Sequence, residues 1–319
     1  MKGNFMLKLN PKIVKPLDHL FILQPVSFFA IWVFVALGSG AGQFFAGQGV
    51  WWLDAVAWLA VLKVGLLTIV LGIAHYFEKY GFVPGTVALW KESQLAYKNP
   101  RRTATLLWSI AGLCLLGIFI MDFLAGAIAI LLFLLNGYLL GTATFRKINN
   151  FWVRLLVASI SGYGLFLFGW QISTGLQTKA LLYGLPYLLG WLAVYLLTTL
   201  YSDSELLQRD ETEDGPSNPN RILIGLIVAI YGLAFAGGVI ARDPVISVAA
   251  MLASPLFIIL IFRPSMIWVV RTARYVFLFI TLVICVEYPW LFAFLLVHYY
   301  VWKFYYFNRW GVNFPTFQV

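Results

Sequence analysis

The sequence predicts an all-α integral membrane protein of about nine transmembrane helices, with its N-terminus in the cytoplasm. Three observations carry that prediction. Hydrophobic residues make up 61% of the chain and charged residues only 11%, against about 25% charge in ordinary globular chains, which excludes a soluble domain. Apolar runs close to the roughly 20 residues needed to cross a bilayer recur along the whole length. The 22 Lys and Arg are segregated by connecting segment, as orientation in a membrane requires.

Taken in order, residues 1–20 form a basic cytoplasmic segment with Lys2, Lys8, Lys12 and Lys15, followed by Phe21–Leu37. That segment is too long for a secretory leader, and Pro25 lies inside the run. Trp51–Phe77 is next and carries Lys63 in its interior. A cytoplasmic loop, residues 78–102, holds Lys79, Lys91, Lys98, Arg101 and Arg102. Thr103–Met121 and Leu124–Gly141 almost abut, as two spans joined tightly. Phe151–Trp170 carries Gly162, Gly164 and Gly169, which favour close helix approach. Ala180–Leu200 runs into a second cytoplasmic loop, residues 201–221. Ile222–Ile240 and Val245–Phe262 come after it. Tyr275–Trp302 is long enough for one tilted helix or for a broken pair. Trp51, Trp52, Tyr299 and Tyr300 stand where interfacial aromatic belts are expected. The chain reads as a single membrane domain, 1–319.

Counted on this topology, 17 Lys and Arg fall on the cytoplasmic side. Four fall on the other: Lys179, Arg242, Lys303 and Arg309. The net charge of +9 therefore orients the protein in the bilayer and gives no reason to expect a nucleic-acid partner. Cys114 and Cys285 sit in apolar runs at no metal or disulfide spacing and read as small buried hydrophobes. No phosphate-binding loop, zinc spacing or nucleophile triad is present.

The segment 184–216 concentrates the chemistry. An apolar helix empties into six of the thirteen carboxylates: Asp203, Glu205, Asp210, Glu211, Glu213 and Asp214. Such a cluster at a membrane mouth must be well solvated or neutralised by cations. Two readings stand, a divalent-metal and diphosphate site or a solvated loop. Within the spans, Lys63 calls for Asp54, Glu287 or a ligand headgroup as partner, or else it snorkels. Glu287, before Tyr288 and Pro289, is a proton-relay or ligand candidate, or a buried hydrogen-bonded carboxyl. His75 and Glu78 stand one helical turn apart and could share a ligand.

Three stretches together resemble the UbiA-type intramembrane prenyltransferase superfamily. Gly137–Trp170 (GYLLGTATFRKINNFWVRLLVASISGYGLFLFGW) is similar to that family's Tyr-Ser-x-Pro-Pro-x-Arg-Leu-Lys loop and the Gly-rich helix after it. Leu185–Asp210 resembles the helix entering the second Asp-rich motif. Glu287–Pro315 looks like the last span and aromatic tail of some bacterial members. The resemblance implies a helical bundle around a lipid-accessible cavity in a bacterial inner membrane. It also implies Mg²⁺ held by two Asp-rich motifs, which neutralises a departing prenyl diphosphate and leaves an allylic cation shielded from water.

The decisive positions depart from that pattern. Laid on Asp203–Asp210, the second motif keeps its outer Asp residues. Leu206 stands at the middle Asp and Arg209 at the Gly. The region of the first motif holds Glu78 but no carboxylate pair before Glu92. Arg146 is retained, while Ala143, Thr144 and Ile148 replace the two prolines and the terminal Lys. Hard cations need several oxygen ligands. The expected protein is thus a catalytically degraded homologue that binds an isoprenoid, quinone or pigment-type lipid, or a structural subunit of a membrane complex. An active prenyltransferase using Asp203, Asp210, Arg146 and Mg²⁺ is the alternative, and a membrane carrier working through Lys63 and Glu287 is a third.

Overall fold

The computed structural model describes residues 23, 26–47, 55–80, 100–139, 151–207 and 221–310. Among these the chain is helical, without strands. Eight helices are long and apolar enough to cross a membrane, so the protein is an integral membrane protein. Side chains such as Ile240, 83% exposed, and Val286, 80% exposed, would be a liability in water and are at home against lipid.

The helices are α1 (Val26–Phe45), α2 (Ala55–Tyr80), α3 (Pro100–Met121), α4 (Phe123–Phe133) with a π-helical extension (Leu134–Leu139), α5 (Phe151–Thr174), α6 (Thr178–Tyr183), α7 (Leu185–Leu207), α8 (Arg221–Ala241), α9 (Pro244–Phe262), α10 (Met266–Glu287) and α11 (Pro289–Trp310). They cluster into two compact units. The first holds α2, α3, α4, the start of α1 through Trp32 and α11 from Trp290. The second holds α1 from Val33, α5 to α10 and Pro289.

The first unit is built on the α2–α3–α4 hairpins. Val70, Ile73, Ala74 and Phe77 of α2 pack with Leu107, Ala111 and Cys114 of α3 and Phe133 of α4. One residue joins α3 to α4. Asp122 caps α4 by accepting from the Ala125 N–H at 3.0 Å, and Gly126 lets the chain fold back because a Cβ there would run into Phe119. On α1 and α11, Phe28, Trp32, Phe294, His298 and Trp302 form a ring cluster. The Trp32 indole donates to Thr68 Oγ1 at 2.9 Å.

In the second unit the core is Ala193 and Leu197 of α7, Ile224, Ile227 and Tyr231 of α8, Ala253, Phe257 and Leu260 of α9, and Val269 and Val276 of α10. α1 crosses α5 at two glycines: a Cβ on Gly38 would strike the Phe166 carbonyl, and one on Gly169 the Val35 carbonyl. Small residues permit this backbone approach, which is how helices associate where lipid removes the hydrophobic drive. Trp191 of α7 lies against Gly162 and donates to the Ala158 carbonyl at 2.9 Å.

The structure fixes three boundaries, one that the sequence left open and two that differ from its reading. The run Tyr275–Trp302 is two helices, α10 and α11, divided at Pro289, whose ring and missing N–H cannot continue α10. α7 continues to Leu207, so Asp203 and Glu205 stand on its last turns and not in a loop. α2 likewise runs to Tyr80, and Glu78 belongs to its final turn.

Candidate functional site

Of the candidate site residues singled out in the sequence, Lys63, His75 and Glu287 are described with their side chains, the first two in the first unit and Glu287 in the second. Arg146 and Asp210 lie outside the described residues. Asp203 is on the final turns of α7 and Glu78 on that of α2; their side chains lie outside what the structure describes. His75 is half-buried on α2. Among the described residues no three His, Cys, Asp or Glu side chains converge on a common point. Asp203 and Leu206 are three residues apart on α7.

Lys63 has a local partner. Its Nζ lies 2.9 Å from Asp122 Oδ2, so Asp122 takes the role for which Asp54 and Glu287 were the sequence candidates. The other Asp122 oxygen caps α4. One carboxylate thus closes the α3–α4 joint and neutralises a cation on α2.

The richest polar arrangement lies in the second unit, at the end where α1, α8 and α10 finish and α7 and α9 begin. It starts from a tight turn. At the end of α8, Arg242 adopts φ 56°, and the Asp243 and Arg242 N–H groups donate back to the Gly238 and Val239 carbonyls, closing the helix with a left-handed residue. Asp243 then caps α9: Oδ1 accepts from the Val245 N–H at 2.9 Å and the Ile246 N–H at 3.4 Å. Its Oδ2 accepts from the Tyr187 hydroxyl at 2.7 Å. Asp243 is 3% exposed. Burial pushes its carboxyl above the ordinary carboxylate range, and these three hydrogen bonds oppose the shift.

Glu287, the last residue of α10, lies over Gly40 of α1, where a Cβ would collide with Oε2. That oxygen is buried without a hydrogen-bond partner among the described residues. The next residue, Tyr288, donates to Ser39 Oγ at 3.3 Å, and Gln43 Nε2 donates to the same oxygen at 3.3 Å. Gln43 is 3% exposed, yet its Oε1 has no partner among the described residues; neither does the indole N–H of the buried Trp170, which packs beside Gly42. No cation pairs with Asp243 or Glu287 among the described residues.

Below this polar nest runs a narrow apolar slot, lined by Phe34, Leu37, Trp191, Ile246, Phe277 and Ile280 among others, with Tyr187 common to slot and nest. It encloses about 390 Å³ counted to its open mouth.

Of this nest, sequence reasoning found only Glu287. Asp243 was signalled by the Asp-Pro start of an apolar run, the pattern of a helix cap with Pro at the first position. Ser39 and Gln43 sit in a small-residue run, GSGAGQ, whose glycines mark a close approach without revealing what approaches. No protein-family model matches the chain, and no curated protein matches it.

Proposed function

We propose that this chain is a UbiA-like inner-membrane protein that has lost diphosphate chemistry and holds an isoprenoid-type lipid, alone or as a subunit of a larger membrane complex. The observation that carries the reading is the separation of acidic motif from buried polar groups. Asp203 and Tyr187 are 16 residues apart on α7, about 24 Å along the helix. In sequence, the motif has Leu206 and Arg209 at the positions of a ligand and of a close-approach glycine. The opposite end holds the slot and the polar nest. Mg²⁺ chemistry is therefore assigned no step.

The charge distribution supports the orientation. With α10 and α11 as separate crossings, Lys303 and Arg309 join the 17 basic residues on the cytoplasmic side, leaving Lys179 and Arg242 opposite. The C-terminal end of α11 is then cytoplasmic, and among the described residues the eight long apolar helices together with α4 and α11 make ten crossings, against about nine read from sequence. The polar nest falls at the non-cytoplasmic end. The carrier reading weakens, because Lys63 is held by Asp122.

The test is direct. Purified protein incubated with geranylgeranyl diphosphate and Mg²⁺ is expected to release no diphosphate above an empty-membrane control, and to carry lipid identifiable by mass spectrometry after extraction. Magnesium-dependent release abolished by Asp203→Ala would establish the enzyme and sink this reading.

A further inference from the structure

We infer that the nest of Ser39, Gln43, Glu287 and Tyr288 is a head-group site for an amphiphile whose polar end donates hydrogen bonds, a hydroxyl foremost, with the first part of its chain in the slot below. The inference rests on the lipid-binding reading above and specifies where and how the lipid is held.

Two buried acceptors and one buried donor, the Trp170 indole N–H, lack partners around residues 39–43 of α1. An acceptor taken out of water without a donor forfeits its hydration and gains nothing in return, and two such atoms lie here, Gln43 Oε1 and Glu287 Oε2. Both belong to side chains that meet residues 39–43 of α1. The Gln43 amide lies on Ser39, the Tyr288 hydroxyl reaches the same Ser39 oxygen, and Glu287 covers Gly40, the residue between them. Asp243 is different: both of its oxygens are occupied, so it orders Tyr187 and the α8–α9 turn and leaves no acceptor for a ligand. The excess of acceptors selects a donor.

The slot selects the tail. Ile280 and Glu287 are seven residues apart on α10, and Leu37 and Gln43 are six apart on α1, so slot and nest are separated by about 10 Å along either helix. Tyr187 spans the gap, with its ring in the slot and its hydroxyl on Asp243. The slot is lined almost wholly by apolar side chains, so the part of the ligand it takes is apolar. Gly190 lies on its wall, and a Cβ there meets only Ile246 Cδ1, at 3.7 Å; a larger side chain at 190 would enter the slot without displacing backbone.

The experiment is displacement of tritiated geranylgeraniol from the full-length protein in nanodiscs. Competitors are unlabelled geranylgeraniol, its methyl ether (same chain, no donor), hexadecanol and hexadecyl methyl ether, with direct binding of tritiated hexadecanol in parallel. Wild type is expected to favour each alcohol over its ether at least tenfold. Gln43→Leu with Glu287→Leu should erase that preference, and Gly190→Leu should weaken alcohol and ether alike. Equal binding of alcohol and ether by wild type, which needs no variant to fold, overturns the head-group site and leaves the lipid reading standing. Preference for hexadecanol over its ether, with no binding of either geranylgeranyl compound, keeps the head-group site and overturns the isoprenoid reading. Binding of none overturns both.

Discussion

Removing the Asp122 charge while keeping its cap isolates the ion pair at the α3–α4 joint. Asn caps helices as well as Asp, so Asp122→Asn retains the bond to the Ala125 N–H and strips the charge facing Lys63. At the observed 2.9 Å, the attraction is about 6 kcal/mol for an effective dielectric constant near 20. Most of that is offset by the water both ions give up, so the pair adds little net stability. Its loss on one side does not cancel, because it leaves the other charge uncompensated at a cost of about 3–5 kcal/mol. Lys63 is 12% exposed and five residues inside the apolar stretch that starts at Trp58, about 8 Å from its end. Partial snorkelling therefore brings the expected cost to about 2–3 kcal/mol. Lys63→Met alone should cost a similar amount, and the double variant should recover most of it. Unfolding of the four proteins in dodecylmaltoside titrated with SDS, followed by far-ultraviolet circular dichroism, completes the cycle. A coupling below about 0.5 kcal/mol would refute the pairing, since that is the additivity expected of independent sites.

Two further outcomes concern the glycine crossing of α1 with α5 and the buried Asp243. Gly38→Ala and Gly169→Ala each place a methyl group against a facing carbonyl, an overpacking that should cost about 1–3 kcal/mol and lower the midpoint of thermal aggregation. Gly112→Ala, with open space around its Cβ, should be neutral or stabilising in the same assay. Asp243 supplies a pH dependence. Its folded-state pKa is raised by burial above the ordinary 3.8, so its contribution to stability is fully present below that ordinary value and is lost as pH rises through the raised one. The titratable groups facing it are Tyr187 and Glu287. Asp243→Asn keeps the cap and the Tyr187 bond without the charge, so wild type should lose stability relative to the variant as pH rises from 4 to 8. A constant difference across that range would contradict the assignment.

Much of the fold was legible because the bilayer imposes one rule on every crossing helix: an apolar length, ended by polar or helix-breaking residues. The joint at Asp122 and the break at Pro289 could both be read from such punctuation. The ends of α2 and α7 could not, since Glu78 and Asp203 lie on turns that continue beyond the apolar stretch, where hydropathy no longer reports helix. The site was less legible. Lys63 was seen to need a partner, but its partner lies 59 residues away. Glu287 was seen as expensive, but nothing local placed it over Gly40, on a helix far earlier in the chain.

Composition, apolar spacing and charge segregation were therefore sufficient by themselves to make this an integral membrane protein of many helices, because each is a property of a single segment meeting lipid. Which polar groups meet is a property of pairs of segments. Gly38 against Phe166, Gly40 against Glu287 and Tyr187 against Asp243 exist only once helices distant in sequence are packed, and backbone approach at the glycines decides which helix faces close together. Tertiary packing alone left Gln43 and Glu287 buried with acceptors to spare.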